Sequence, residues 1–369
     1  MPPPRFFSFK ADDTHLATKF PVQCAGNFVA LCDLCPRRCT IPPGEKGLCR
    51  VRFCNKDGKP EIPFYGYITG MAIDPIEKKP LYHFRPGSEI FSVGFKGCNL
   101  RCPFCQNWHI SQNKEVEGHF CSASELIAAV TKSAGIRQKS LAIKHSLAYT
   151  YSEPLVHFEF LLDCMKEGRK AGIANVLVSN GCINAEAAEE ILEFTDAANI
   201  DLKCFSADTY SKILGGDLST VLAFIKAACE KGVHIEITTL VVPGLNDSEE
   251  ELDACADFIA GLKKESGKST VPWHLSAYHP AWEWTAPPTS PRFLNAAAER
   301  ARKRLAYVYT GNIAQEKNDT PCPHCGKILI SRRGYNVDTS GLSLLSLKEE
   351  KGRASYYCAF CGKEVPVTA

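Results

Sequence analysis

The chain has no uninterrupted apolar run long enough to cross a bilayer. Its opening stretch, MPPPRFFSFK, lacks the apolar core and small-residue cleavage site of a signal peptide. Neither a membrane-spanning nor a secreted protein fits this pattern, and a cytoplasmic location is expected. Charge bias is missing too. Lys and Arg number 43 against 41 Asp and Glu, a formal net charge of +2, so bulk electrostatics do not call for nucleic acid or an anionic membrane. Cysteine is what the sequence has in excess. Nineteen cysteines without a secretory signal fit metal binding better than a disulfide framework. Thirteen of them fall in segments 24–54, 98–105 and 322–361, while Cys121, Cys164, Cys182, Cys204, Cys229 and Cys255 are scattered and read as small apolar core residues.

A length of 369 residues accommodates one large catalytic domain with one or two small modules. Strand patterns fall at FSVGFKG (91–97), LAYTY (147–151), NVLVSN (175–180), NIDLK (199–203), HIEITTLVV (234–242) and WHLSAY (273–278). Helical patterns separate them. One opens on the capping-box pair Ser122 and Glu125, and another stops at Gly172. The alternation predicts an α/β fold with a parallel sheet, as a partial (β/α)6 barrel because the strand count stops near 278. Chemistry in such folds sits at the C-terminal strand ends.

Cys98, Cys102 and Cys105 stand at C-x3-C-x2-C spacing just after the first of these strands. Three closely spaced thiolates suit a 4Fe-4S cubane with one iron left open to a small molecule. Half of a zinc site, completed by Cys121 or His109, is the alternative.

This triad, with Phe104 at the aromatic position before its last cysteine, resembles the signature of the radical S-adenosylmethionine (SAM) superfamily. The resemblance implies that SAM chelates the open iron and that one electron splits it into methionine and a 5′-deoxyadenosyl radical, which abstracts hydrogen from a substrate. It also implies a one-electron donor such as flavodoxin or ferredoxin. TYSEP (150–154) stands where the family has Gly-Gly-Glu-Pro, so Glu153 would accept from the SAM ammonium group, with Tyr151 and Ser152 replacing two glycines. Ser179 and Asn180 of VSNG would contact methionine or ribose, Asp201 and Lys203 of IDLK the ribose and carboxylate, and His279 of AYHP the ribose and adenine. Val178 stands where glycyl-radical activating enzymes carry an acid. DPIEKKPLYHFRPGSEIFSVGFKGCNLRCPFCQNWHISQ (74–112), AYTYSEP, EITTLVVPGLND and PWHLSAYHP resemble one subfamily over roughly residues 30 to 330. That subfamily is the AmmeMemoRadiSam-system radical SAM enzymes, which are related to pyruvate formate-lyase activating enzymes. Memo-like and AMMECR-like partners are implied by its name, and no substrate is. A glycyl-radical activase remains the alternative enzyme, and an electron carrier or interaction module the alternative of another class.

Residues 1–73 read as a cysteine-rich segment, 74–306 as the radical SAM core and 307–369 as a third module. In the first, Cys32, Cys35, Cys39 and Cys49 offer four thiolates, for zinc or an auxiliary iron–sulfur cluster. In the third, CPHCGK and CAFCGK supply Cys322, Cys325, Cys358 and Cys361, the pattern of a zinc ribbon or rubredoxin-like site. Its expected role is a structural staple separable from catalysis. Residues 286–306 suggest a Pro-rich linker and a basic helix with a solvated face. DPIEKKPLYHF reads equally as a loop over the barrel mouth or a plain surface connection, and its Lys78 and Lys79 are left out of the catalytic set.

Overall fold

A computed structural model describes residues 2–11, 17–18, 28–113, 115–137, 145–262, 264–265, 268–314, 318–344 and 355–368; Cys24 lies outside them. Its centre is an eight-stranded sheet: β1 (Gly70–Pro75), β2 (Glu89–Gly94), β3 (Ser146–Thr150), β4 (Ala174–Ser179), β5 (Ala197–Asp201), β6 (His234–Val241), β7 (Trp273–Ala277) and β8 (Val308–Gly311). Each strand pairs with its sequence neighbours, from β1 at one edge to β8 at the other. Pairing is parallel from β2 through β8 and antiparallel between β1 and β2. Asp74 of β1 and Gly311 of β8 nevertheless line one cavity, so the sheet curves around it.

All six expected strands are present, and the sheet runs further at both ends. β1 was hidden in the sequence because it is an edge strand with Met71 and Ile73 exposed, so no apolar face announces it. β8 is only four residues long. It gives the helix Pro291–Ala301 a different role from the one expected. That helix buries Leu294, Ala297, Ala298 and Ala301 as the crossover between β7 and β8, and its Arg300 pairs with Asp253 at 2.8 Å.

The helices on the outer face begin and end where their sequences dictate. Ala123–Arg137 starts on the expected capping box, Ser122 N donating to Glu125 Oε2 at 2.8 Å and Glu125 N to Ser122 Oγ at 3.3 Å. Leu218–Glu230 is capped by Asp217, which accepts from Thr220 N at 2.7 Å. Phe158–Lys170 buries Phe158, Phe160, Leu161, Leu162 and Met165, each worth about 2 kcal/mol of apolar burial. Gly172 stops it at φ +72, a left-handed turn that favours glycine. Of the six scattered cysteines, all but Cys229 are buried, as core residues should be.

A small sheet of Phe7–Ala11, Ala17–Thr18, Phe28–Cys32 and Cys39–Ile41 carries the first cysteine block. It is tied to the barrel by the buried pair Arg52–Glu159 at 3.0 Å and by Asn184 N donating to Leu34 O at 3.0 Å. The C-terminal module forms two three-stranded sheets around Cys322, Leu329, Ile330, Cys358, Val365 and Val367. Its last strand, Glu364–Thr368, docks on the barrel. Thr368 N donates to His83 O and Arg85 N to Thr368 O, both at 2.7 Å.

Candidate active site and metal centres

A cavity of about 560 Å³ opens at the C-terminal ends of the strands and holds Cys98, Cys102 and Cys105 together. Neither Cys121 nor His109, the fourth ligands named for the zinc alternative, lines it. A single tetrahedral ion at about 2.3 Å from each sulfur sets sulfurs about 3.8 Å apart. Among the described residues, only the four C-terminal cysteines have all their ligand atoms within 4.8 Å of one another. The wider triad fits a polynuclear cluster, in which each thiolate takes its own iron. Leu100 N donates to Cys98 Sγ at 3.3 Å, Asn180 Nδ2 approaches it at 3.7 Å, and Ser111 Oγ lies 3.2 Å from Cys105 Sγ. Burial pushes the Cys102 thiol up to about 12, against the pull of the Lys203 ammonium. An iron bound there would supply the positive charge that keeps these sulfurs ionised.

Glu153 is the most heavily supported group in the cavity wall. It is 1% exposed and accepts from Ser179 Oγ at 2.7 Å, Asn180 N at 2.8 Å and Leu155 N at 3.1 Å. Burial raises its pKa to about 7, although these donors favour the ionised form. Ser179 thus acts on Glu153 and does not itself line the cavity. Asn180 does, braced by its Nδ2 donating to Asn99 Oδ1 at 2.9 Å. Lys203 Nζ donates to Asp201 Oδ2 at 2.7 Å, and both residues, with Phe104, line the cavity. His279 does not. It is exposed, with Nε2 3.0 Å from the carbonyl of Asn312, and Asn312 takes the place on the wall. Thr238 Oγ1 and Glu77 Oε2 are buried wall atoms with no protein partner among the described residues, as expected of a site awaiting polar ligands.

Of the two readings of DPIEKKPLYHF, the loop over the mouth is the one that agrees with the structure, and the part Tyr151 plays beside it was not foreseen. Asp74 Oδ2 accepts from Lys79 Nζ at 2.6 Å and from the Tyr151 hydroxyl at 2.7 Å, and the Lys79 ammonium lies 4.8 Å from the Tyr151 ring centroid. Burial opposes ionisation of Asp74, but Lys79 and Tyr151 outweigh it and hold its pKa at about 2. Tyr151 stands at φ +71, a conformation that costs a non-glycine residue about 1–2 kcal/mol. This agrees with glycine being the family's residue there. The segment Asp74–Tyr82 therefore lines the cavity, and Lys78 and Lys79 belong to its wall. The signal available in the sequence was the tyrosine at a glycine position.

The C-terminal cysteines form a tetrahedral set, with Cys322 and Cys361 sulfurs 3.9 Å apart and Cys325 and Cys358 3.7 Å apart. Those separations match a single ion. The module, expected as a structural staple separable from catalysis, reaches the cavity wall. Its Tyr335 lines the cavity. Its Arg332, 1% exposed, donates to Tyr82 O at 2.6 Å and lies over the Tyr82 ring at 4.3 Å, with Nε 3.9 Å from Glu77. Both Tyr82 and Glu77 are cavity wall.

Among the described residues no helix is long and apolar enough to cross a membrane. Residues 92–256 match the model of the radical SAM superfamily. Over 91% of its length the chain is 36% identical to an uncharacterised protein of Methanocaldococcus jannaschii, covering 95% of that protein. It is 30% identical to the pyruvate formate-lyase-activating enzyme of Clostridium pasteurianum, over 49% of this chain and 74% of that one. A crystal structure of a domain of the pyruvate formate-lyase-activating enzyme from Bacteroides vulgatus aligns with 45% of this chain and 98% of its own, at TM-score 0.39 and 21% identity. The matched segment runs from within β2 through the cysteine triad and the strand ends that carry Glu153, Asn180, Asp201 and Lys203, and the chain belongs to the radical SAM superfamily.

Proposed function

We propose that the protein cleaves SAM reductively and uses the resulting radical to abstract hydrogen from a small polar substrate. We place it in the AmmeMemoRadiSam branch, with a ferredoxin- or flavodoxin-class electron donor. The observation that carries this is the cavity itself, where three thiols without a fourth cysteine share one wall with Glu153, Asn180, Asp201 and Lys203. A 4Fe-4S cluster held by Cys98, Cys102 and Cys105 would supply the electron that divides the sulfonium. Glu153, held rigid by three donors, would accept from the amino group of SAM, and the approach of that ammonium would favour its ionised form. Asp201 and Lys203 would orient the polar end of the nucleoside or the amino acid. On the same cavity lining, Lys79, Asp74 and Tyr151 present a cation, an anion and a hydroxyl at fixed positions, suited to a substrate carrying charge.

A volume of about 560 Å³ falls within the range of small-molecule pockets, about 300–1,000 Å³. The cluster and SAM would share that space with the substrate, and the charged side chains of Lys79 and Asp74 on its lining support a small polar substrate. Relatives named as pyruvate formate-lyase activating enzymes keep an activase in view, while Val178, standing where those enzymes carry an acid, weighs against it. The test is anaerobic incubation with SAM, reductant and perdeuterated cell extract separated by size, followed by mass spectrometry of 5′-deoxyadenosine. Deuterium should come from the small-molecule fraction. Deuterium from the protein fraction alone would overturn the substrate class, and absence of 5′-deoxyadenosine altogether would leave a non-catalytic metalloprotein.

A further inference from the structure

We infer that Cys32, Cys35, Cys39 and Cys49 hold a second iron–sulfur cluster and not a zinc ion. The geometry brings all four together. Cys32 and Cys39 are direct partners across the antiparallel strands Phe28–Cys32 and Cys39–Ile41. Cys35 sits in the turn between them, which Arg38 N closes on Cys35 O at 3.1 Å. The loop bearing Cys49 folds back over this turn, with Gly47 packed so that a Cβ there would lie 3.7 Å from Cys39 Cβ. Consistent with that, Cys32, Cys39 and Cys49 all act electrostatically on Cys35.

Spacing decides between the two metals. The C-terminal set serves as an internal standard for one ion, with sulfur pairs at 3.7 and 3.9 Å. Yet among the described residues no three of the N-terminal cysteines have their sulfurs within 4.8 Å of one another. In this they match Cys98, Cys102 and Cys105, not the ribbon. Gathered but wider than a tetrahedron is what separate corners of a cluster require.

The surroundings fit an anionic cluster. Cys32 and Cys49 are 5% and 9% exposed, and Arg52 is 1% exposed. Its guanidinium faces both thiols and is fixed from behind by Glu159, Nη1 to Oε2 at 3.0 Å. A buried cation beside two of the four thiolates offsets part of the charge that a cluster would carry. The site also abuts the radical SAM triad. Gly97, at φ +82, has no room for a side chain because a Cβ there would meet Cys49 O at 2.3 Å, and Cys98 follows directly.

Only the comparison with the triad rests on the proposed function, and metal analysis separates the two. In full-length protein made anaerobically, the Cys98→Ala/Cys102→Ala/Cys105→Ala variant should stay brown and keep about four iron per chain with about one zinc. Loss of all iron with about two zinc per chain would overturn the inference. Should that variant not fold, Cys35→Ser with the triad intact gives the same answer. Iron should fall from about eight to about four with zinc unchanged, whereas zinc falling by about one with iron constant refutes it. If the triad variant keeps as much iron as wild type, the radical SAM assignment of the triad fails while the second cluster stands.

Discussion

Arg332 is the point where the C-terminal cysteine module meets the candidate active-site cavity, and Arg332→Met tests whether that contact matters. The methionine keeps the buried stem and removes the guanidinium. Three things are lost: the hydrogen bonds to Tyr82 O at 2.6 Å and Thr320 Oγ1 at 2.8 Å, the stacking over Tyr82 at 4.3 Å, and the counter-charge of Glu77 at 3.9 Å. Glu77 is 4% exposed, and burial already raises its pKa against the pull of Gly87 N and Arg332. Breaking a buried pair from one side costs about 3–5 kcal/mol, largely through the stranded charge. We expect about 4 kcal/mol of docking stability to go, so that the tail opens about a thousand times more often. Limited proteolysis under native conditions reads this directly, and SAM cleavage should fall because Glu77, Tyr82 and Tyr335 lose their positions. The double variant Arg332→Met/Glu77→Gln should recover about 2 kcal/mol or more, since no charge is stranded. A single variant within about 0.5 kcal/mol of wild type, or a double variant at the sum of the singles, would refute the reasoning.

Glu153→Gln keeps the shape of the side chain and removes the charge facing the amino group of SAM. Its SAM affinity, measured by equilibrium binding to the reconstituted protein, should weaken about 10- to 100-fold; unchanged affinity would remove Glu153 from the SAM site. His83, hydrogen-bonded to Pro366 O at 2.9 Å and the Tyr309 hydroxyl at 2.7 Å, has its pKa lowered by burial to about 3. The unfolded chain therefore binds the extra proton first, and stability is full above about pH 6.5 and falls as pH drops toward 3. At pH 5 the loss should be about 2 kcal/mol, seen as earlier tail proteolysis; a flat profile from pH 7 to 5 would contradict it. Cys358→Ala should release about one zinc and expose the tail to protease, and retention of that zinc would place it elsewhere.

What the sequence disclosed follows physical lines. The central strands were legible because β-branched residues buried on both faces leave nearly continuous apolar runs, as in ANVLVS of β4. β1 and β8 were not, one being a half-solvated edge and the other too short to show a period. Cysteine spacing pointed to the C-terminal set, whose four ligand atoms the fold brings within 4.8 Å of one another, and to the triad that lines the cavity. Spacing could not separate zinc from iron in the first block, because that distinction lies in sulfur separations fixed by the fold. Glu153 and Asn180 were found from their motifs, whereas Ser179 turned out to serve Glu153 and His279 to lie outside the cavity. The Asp74–Tyr151 contact joins residues 77 positions apart, and its only signs in the sequence were a tyrosine at a glycine position and the reading of DPIEKKPLYHF as a loop over the mouth. Arg332 reaching Tyr82 across 250 positions had no such sign.

The central claim is that Cys98, Cys102 and Cys105 hold a cluster whose open iron binds SAM. The most direct measurement is electron paramagnetic resonance of the anaerobically reduced protein before and after addition of SAM, with 5′-deoxyadenosine quantified in the same samples. The account predicts that SAM changes the spectrum of one cluster and that 5′-deoxyadenosine forms, with both effects absent in Cys102→Ala. A fully reduced wild-type protein whose spectrum SAM leaves unchanged, and which yields no 5′-deoxyadenosine, would contradict it.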